Sequence, residues 1–207
     1  MRKMPRQRQY SNKFFRLVFR LAGPVISFFR PFKVIGRENM REGATMVCSN
    51  HSAMIDPFLI GIAYGIDSPI HVFAKIELFR IPFVSGFLWK MGMICVDRSI
   101  NDIASIKTSL NYLKNGEKVV IFPEGTRATE HDAVTAKSGA IKLAERAGAP
   151  IQPVFLPRKK PFFRMSKLVF GELYYIEKQD KKRTANDYTK LAEELMQKIQ
   201  ALDPAGS

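Results

Sequence analysis

Two short stretches of this 207-residue chain hold the side chains best suited to chemistry. The first is Asn50-His51-Ser52-Ala53-Met54-Ile55-Asp56, followed directly by Pro57. An aspartate about one turn beyond a histidine can fix the imidazole tautomer and support the charge it gains on taking a proton. Ser52 adjoins the histidine, but nothing around it marks a nucleophile elbow. The pair would therefore activate a substrate hydroxyl directly. Alone, the same residues read equally well as a satisfied loop histidine and a helix N-cap aspartate. The second stretch is Phe122-Pro123-Glu124-Gly125-Thr126-Arg127. Proline stops a strand ladder, Gly125 permits close backbone approach, and Arg127 offers a planar fork suited to phosphate. Its plainer reading is a strand-to-helix turn with surface charges.

These stretches must be held by regular elements. Residues 44–49 form a short apolar run into Asn50, and residues 118–122 a β-branched run into Pro123. Both stretches thus lie at strand exits, where open α/β sheets bind ligands. Further strands are expected over 71–75, 94–96 and 151–156, with 167–170 and 173–176 as a last hairpin or strand pair. Helical spacing covers 57–66, 100–115, 134–147 and 185–201, with helical pieces over 78–89. Alternation of this kind predicts an α/β fold: a mixed, largely parallel sheet flanked by helices.

The net charge is +14, from 33 basic and 19 acidic residues. Ten basic residues and one acidic residue fall before position 41, so +9 of the +14 lies in the first fifth. Residues 13–32 interleave Phe14, Phe15, Val18, Leu21, Phe28 and Phe29 with Arg16, Arg20 and Arg30, and Gly23-Pro24 marks a break. Two short helices, or one broken one, are expected. They either pack on the core or form an amphipathic membrane-binding segment at an anionic surface. We divide the chain into a basic helical segment, 1–32, and an α/β domain, 33–207. No apolar window of the roughly 20 residues a span requires is free of charge, and no cleavage pattern follows the basic start, so no transmembrane helix and no signal peptide are expected. Cys48 and Cys95 read as buried thiols, and His51, His71 and His131 form no metal-ligand cluster. A basic chain with 11% aromatic residues could also be a nucleic-acid binder. Its aromatics and basic excess concentrate in the N-terminal stretch, however, rather than alternating along strands. The stretch Arg158-Lys159-Lys160-Pro161-Phe162-Phe163-Arg164 reads as a solvated loop or as a contact with headgroups or an acidic donor.

Taken in order, the motifs resemble those of the glycerolipid acyltransferase family, 1-acylglycerol-3-phosphate acyltransferases among them. Asn50-His51 with Asp56 resembles the family's His-x4-Asp block, and Phe122-Pro123-Glu124-Gly125-Thr126-Arg127 its complete phosphate block. Gly92 through Arg98, and Pro150-Ile151-Gln152-Pro153-Val154, resemble the other two blocks, and Lys75, Glu77-Leu78-Phe79 and Pro82 lie between the His-x4-Asp block and Gly92. The resemblance implies His51 as general base and Asp56 as its orienting partner. It implies Arg98, Glu124, Gly125, Thr126 and Arg127 at the acceptor phosphate, with Lys75 adding positive charge. It also implies transfer of a fatty acyl group from acyl-CoA or acyl carrier protein to the sn-2 hydroxyl of lysophosphatidic acid, giving phosphatidic acid. Glycerol-3-phosphate or another lysophospholipid is the alternative acceptor. No metal or bound cofactor is implied, and nucleic acid is not expected as a partner. The expected location is the cytoplasmic face of the cell membrane, peripheral or monotopic.

Overall fold

A computed structural model of the chain describes residues 10–97, 99–100, 102–124, 137–177, 179 and 181–204. Among these, seven strands form one sheet in the order β1-β7-β6-β2-β5-β3-β4. The strands are β1 (Phe32–Ile35), β2 (Thr45–Ser49), β3 (Ile70–Lys75), β4 (Ile94–Val96), β5 (Lys118–Ile121), β6 (Ile151–Phe155) and β7 (Ser166–Phe170). Strands β2 to β6 all run in one direction. Only β7, antiparallel to β6, and β1, parallel to β7, are reversed. The sheet is therefore mixed and largely parallel, as the alternation of elements predicts.

Alternate residues of each central strand enter opposite cores, the period-two rule of a pleated sheet. Met46 and Cys48 of β2 and Val119 of β5 join a cluster with Leu113, Ile141, Leu195 and Ile199. Those four come from α4 (Ile103–Lys114), α5 (Gly139–Ala147) and α6 (Ala185–Ala201). Val47 and Val120 point the other way, to Phe15, Phe19, Leu59 and Ile60. These belong to α1 (Asn12–Phe29) and α2 (Asp56–Tyr64). A smaller cluster at the β4 edge joins Phe79 and Cys95 to Leu88 and Trp89 of α3 (Val84–Lys90). Helices cover both faces, so the continuous apolar runs of the central strands are those of a doubly covered sheet.

Three elements differ from the sequence expectation. First, α1 is one continuous helix with Pro24 inside it. The carbonyl that Pro24 cannot serve belongs to Arg20, and both residues are exposed, so solvent replaces the missing bond. At one residue per 100°, α1 carries three stripes. Phe15, Phe19 and Gly23 are buried; Lys13, Arg16 and Arg20 lie along one side; Leu17, Leu21, Val25 and Phe28 are exposed apolar groups beyond them. The close seating of α1 depends on Gly61 of α2, where a Cβ would stand 2.5 Å from the Phe19 ring. Second, 173–176 does not form a hairpin with β7. Both edges of β7 are taken by β6 and β1, so Tyr174 instead exchanges two backbone hydrogen bonds with Ile151 of β6. Third, β1 emerges from a segment too short to show alternation. No helix among the described residues is long and apolar enough to cross a membrane.

Candidate active site

The shared direction of β2 to β6 places their C-terminal ends on one edge of the sheet. Asn50 and His51 leave β2 there. Phe122 and Glu124 leave β5, and Lys75 ends β3. The β6 exit leads to Arg158 and Lys160. Thr45 is paired with Lys118 and Cys48 with Ile121. Extending that register sets His51 level with Glu124 on the neighbouring strand.

Each neighbour of His51 fixes a different part of it. Asn50 is buried and clamps the β6 exit: its Nδ2 donates to the Leu156 carbonyl at 2.7 Å, and Leu156 N–H donates to its Oδ1 at 2.8 Å. His51 N–H donates to Glu124 Oε2 at 3.1 Å. The imidazole stacks on Phe122, with ring centroids 4.1 Å apart and planes within 20°. His51 Nδ1 lies 2.9 Å from Asp56 Oδ2. An ionised carboxylate only accepts, so Nδ1 carries the hydrogen and Nε2 carries the lone pair. With its side chain 16% exposed, the histidine leaves its ring partly open to the surface.

Asp56 is wholly buried at the start of α2, yet it does not cap that helix; Ile55 holds the N-cap position without a side-chain bond. Its Oδ2 points back along the chain and also accepts N–H bonds from Ser52 at 2.8 Å and Ala53 at 2.9 Å. Pro57 costs α2 nothing, since first-turn N–H groups lack helical partners. Asp56 Oδ1 meets Lys160 Nζ at 2.8 Å. Burial alone would raise the Asp56 carboxyl, but the His51 hydrogen bond and the Lys160 charge outweigh it and hold the group below its ordinary range. Glu124 is pushed the other way: burial raises it despite the His51 N–H and the nearby Arg158 charge.

Lys160 is the residue that sequence reasoning missed. Its stretch reads as a solvated loop or a contact surface, but its ammonium is turned inward, with the side chain 2% exposed. It also donates to Ser52 Oγ at 2.8 Å, and Ser52 in turn donates to the Arg158 carbonyl at 3.2 Å. Nothing in the local sequence separates Lys160 from Arg158 or Lys159. Lys75 is exposed at the β3 end, two strands from β2. At about 4.8 Å per strand, that is roughly 10 Å across the sheet. Arg98, Gly125, Thr126 and Arg127 lie outside the described residues. Asp102 accepts from Asp97 N–H and Ser105 N–H, each at 3.0 Å. The other chemically capable groups have structural roles. His71 is buried against Tyr112 and hydrogen-bonds the Gly92 carbonyl. Burial pushes the Cys48 thiol up, and Cys95 up to about 11, which leaves neither as a nucleophile.

Comparison with known proteins places this arrangement. A 1-acyl-sn-glycerol-3-phosphate acyltransferase of Borreliella burgdorferi is 37% identical over 133 residues, covering 63% of this chain and 52% of that protein. One from Bacillus subtilis is 35% identical over 130 residues, covering 62% and 64%. The matched stretch thus spans between about half and two thirds of the length of these relatives. The crystal structure of the 1-acyl-sn-glycerophosphate acyltransferase of Thermotoga maritima superimposes with a TM-score of 0.63, covering 95% of this chain and 79% of that one at 23% identity, which shows a shared fold. The acyltransferase family matches residues 31–157, from β1 through the β6 exit and so across every strand end that carries the site; the chain belongs to that family.

Proposed function

We propose that the chain transfers a fatty acyl group from an acyl thioester, acyl-CoA or acyl carrier protein, to the sn-2 hydroxyl of 1-acylglycerol-3-phosphate, giving phosphatidic acid. The observation that carries this reading is the His51–Asp56 pair with Nε2 presented at the sheet edge. The names of the relatives supply the acceptor. In this mechanism Nε2 takes the proton of the acceptor hydroxyl as its oxygen attacks the thioester carbonyl. A C–O bond forms, the C–S bond breaks, and the imidazolium returns its proton to the departing thiolate. Asp56 keeps the tautomer and supports the transient charge. The acceptor phosphate is held by Lys75 together with Arg98 and Arg127, while Glu124 holds the backbone of His51 in place. The exposed apolar stripe of α1, beside its basic stripe, rests on an anionic membrane surface and brings the site to its lipid substrate.

The test is thiol release from acyl-CoA or acyl carrier protein by the full chain in mixed micelles. The acceptor panel holds 1-acylglycerol-3-phosphate, glycerol-3-phosphate and lysophosphatidylcholine. Turnover should be greatest with the first, and His51→Ala should lower it by about 10²–10⁴-fold while thermal unfolding changes little. A folded His51→Ala protein with near-normal turnover would refute the mechanism. Preference for either of the other acceptors would refute the substrate.

A further inference from the structure

A lysine ammonium is rarely buried unless it is paired. Lys160 is buried from the loop after β6, and its Nζ meets only Asp56 Oδ1 and Ser52 Oγ among the described residues, each at 2.8 Å. Its backbone is fastened as well, because Arg30, just past α1, donates to the Lys160 carbonyl. The carboxylate of Asp56 is therefore divided. One oxygen serves the imidazole and two N–H groups; the other serves the ammonium. We infer that Lys160 is a positioning residue of the dyad, one that locks the Asp56 carboxylate in the plane that meets His51 Nδ1 and offsets part of its charge. The inference rests on the proposed role of His51 as base.

The chemical consequence follows from electrostatics. A buried carboxylate with no other cation beside it binds imidazolium tightly, and an imidazole already protonated is no base. An ammonium on the far oxygen weakens that hold in the resting enzyme. The donors to Oδ2 remain in place to orient the ring and to support the charge that develops during proton transfer. Several charged groups of the described residues bear on this balance. Asp56 comes from α2, Glu124 from the β5 exit, Lys160 and Arg158 from the β6 exit, and Arg30 from the end of α1. Burial pulls the Lys160 ammonium below the usual lysine range, and the attraction of Asp56 works against that. With its side chain 2% exposed and its Nζ on Asp56 Oδ1, Lys160 contributes through Asp56 rather than by touching substrate.

The decisive variant is Lys160→Met, which keeps the length of the stem and removes the charge. Two readouts are taken on the full chain. One is the pH profile of kcat/KM with 1-acylglycerol-3-phosphate and palmitoyl-CoA. The other is the substrate-free NMR titration of the His51 C2 proton, assigned by its loss in His51→Ala. The acid limb and the NMR midpoint should both move to higher pH by about one unit or more, the usual effect of removing a like charge near a titrating group. Turnover on the acid side should fall about tenfold, and the acceptor KM should stay within about twofold. A folded variant whose limb and midpoint coincide with wild type overturns the inference, whatever its overall activity. If the variant does not fold, Lys160→Gln, which retains a donor without the charge, takes its place. Failure of both to fold assigns Lys160 to the fold alone and overturns the inference too. Wild-type protein inactive on every acceptor would sink the functional reading instead, and the NMR titration would still decide whether Lys160 acts on the dyad.

Discussion

Asp56→Asn should damage the fold as well as the chemistry, and the structure sets the size of the effect. Asp56 is fully buried and the Lys160 side chain is 2% exposed, so solvent does little to screen their interaction. Asparagine can keep one oxygen for the N–H groups of Ser52 and Ala53. Its amide nitrogen must then face the Lys160 ammonium, donor against donor. Breaking a buried pair from one side costs about 3–5 kcal/mol, which lowers Tm by roughly 6–20 °C for a chain of this length. Removing the other partner should cost less. In Lys160→Met, Asp56 keeps three donors within 2.9 Å, so the loss should be about 1–3 kcal/mol. The double variant removes both charges and should be more stable than Asp56→Asn alone, with a coupling of about 2 kcal/mol or more. Acidity supplies a further check. The Asp56 carboxyl lies below its ordinary value of 3.8, so its contribution is complete above that pH and disappears as pH falls through the lower native value. The gap between wild type and Asp56→Asn should therefore narrow only on strong acidification. Denaturant unfolding of the four proteins, followed by circular dichroism in one detergent, gives every number. If Asp56→Asn lies within 1 kcal/mol of wild type, or if the two single losses simply add, the buried-pair reasoning fails.

Two further substitutions separate the faces of α1. Gly61→Ala places a methyl group against the Phe19 ring and should cost about 1–3 kcal/mol of stability; an unchanged denaturation midpoint would show that α1 does not need that close seat. Replacing Leu17, Leu21, Val25 and Phe28 together by serine should leave the unfolding midpoint nearly unchanged but reduce co-sedimentation with anionic liposomes at least tenfold, since each apolar side chain contributes about 1.5–3 kcal/mol when fully buried; equal pelleting would exclude this stripe as the contact. Deleting residues 1–32 cannot make that distinction, because it also removes Phe15 and Phe19 from the core.

Much of the site was legible in the sequence because it is local or collinear. The spacing from His51 to Asp56 fits a single strand-to-helix turn, and strand exits can be recognised from β-branched runs that end in Asn50 or Pro123. Parallel strands then bring those exits to one edge without further information. Lys160 was not legible, since its inward turn depends on a carboxylate contributed by a distant α2. A lysine between Lys159 and Pro161 carries no local mark of burial. The two expectations for the N-terminal segment, core or interface, need not exclude each other, for a geometric reason. A helix has room for a core stripe, a basic stripe and an exposed apolar stripe at once, and α1 has all three. The expected hairpin over 167–176 failed because strand propensity carries no information about which sheet edges are already occupied.

The charges at the sheet edge are divided by strand, and that division bears on how an acceptor lies in the site. On the β2 and β6 side, the Lys160 ammonium is committed to Asp56, and the Glu124 carboxylate beside His51 repels anions. A phosphate that drew Lys160 away would leave Asp56 without its ammonium, at the cost worked out above for Lys160→Met. The β3 end has the opposite character. Lys75 stands exposed at the β3 end, and the chain positions of Arg127 and Arg98 follow β5 and β4. Under the proposed reading, the acceptor must therefore lie across the strands, with its hydroxyl over β2 at His51 Nε2 and its phosphate toward β3. The two-strand separation, about 10 Å, is bridged by the glycerol phosphate together with the Lys75 side chain. Pairing Asp56 with Lys160 satisfies the buried carboxylate from the β6 side, and under the proposed reading the exposed Lys75 is left to the substrate.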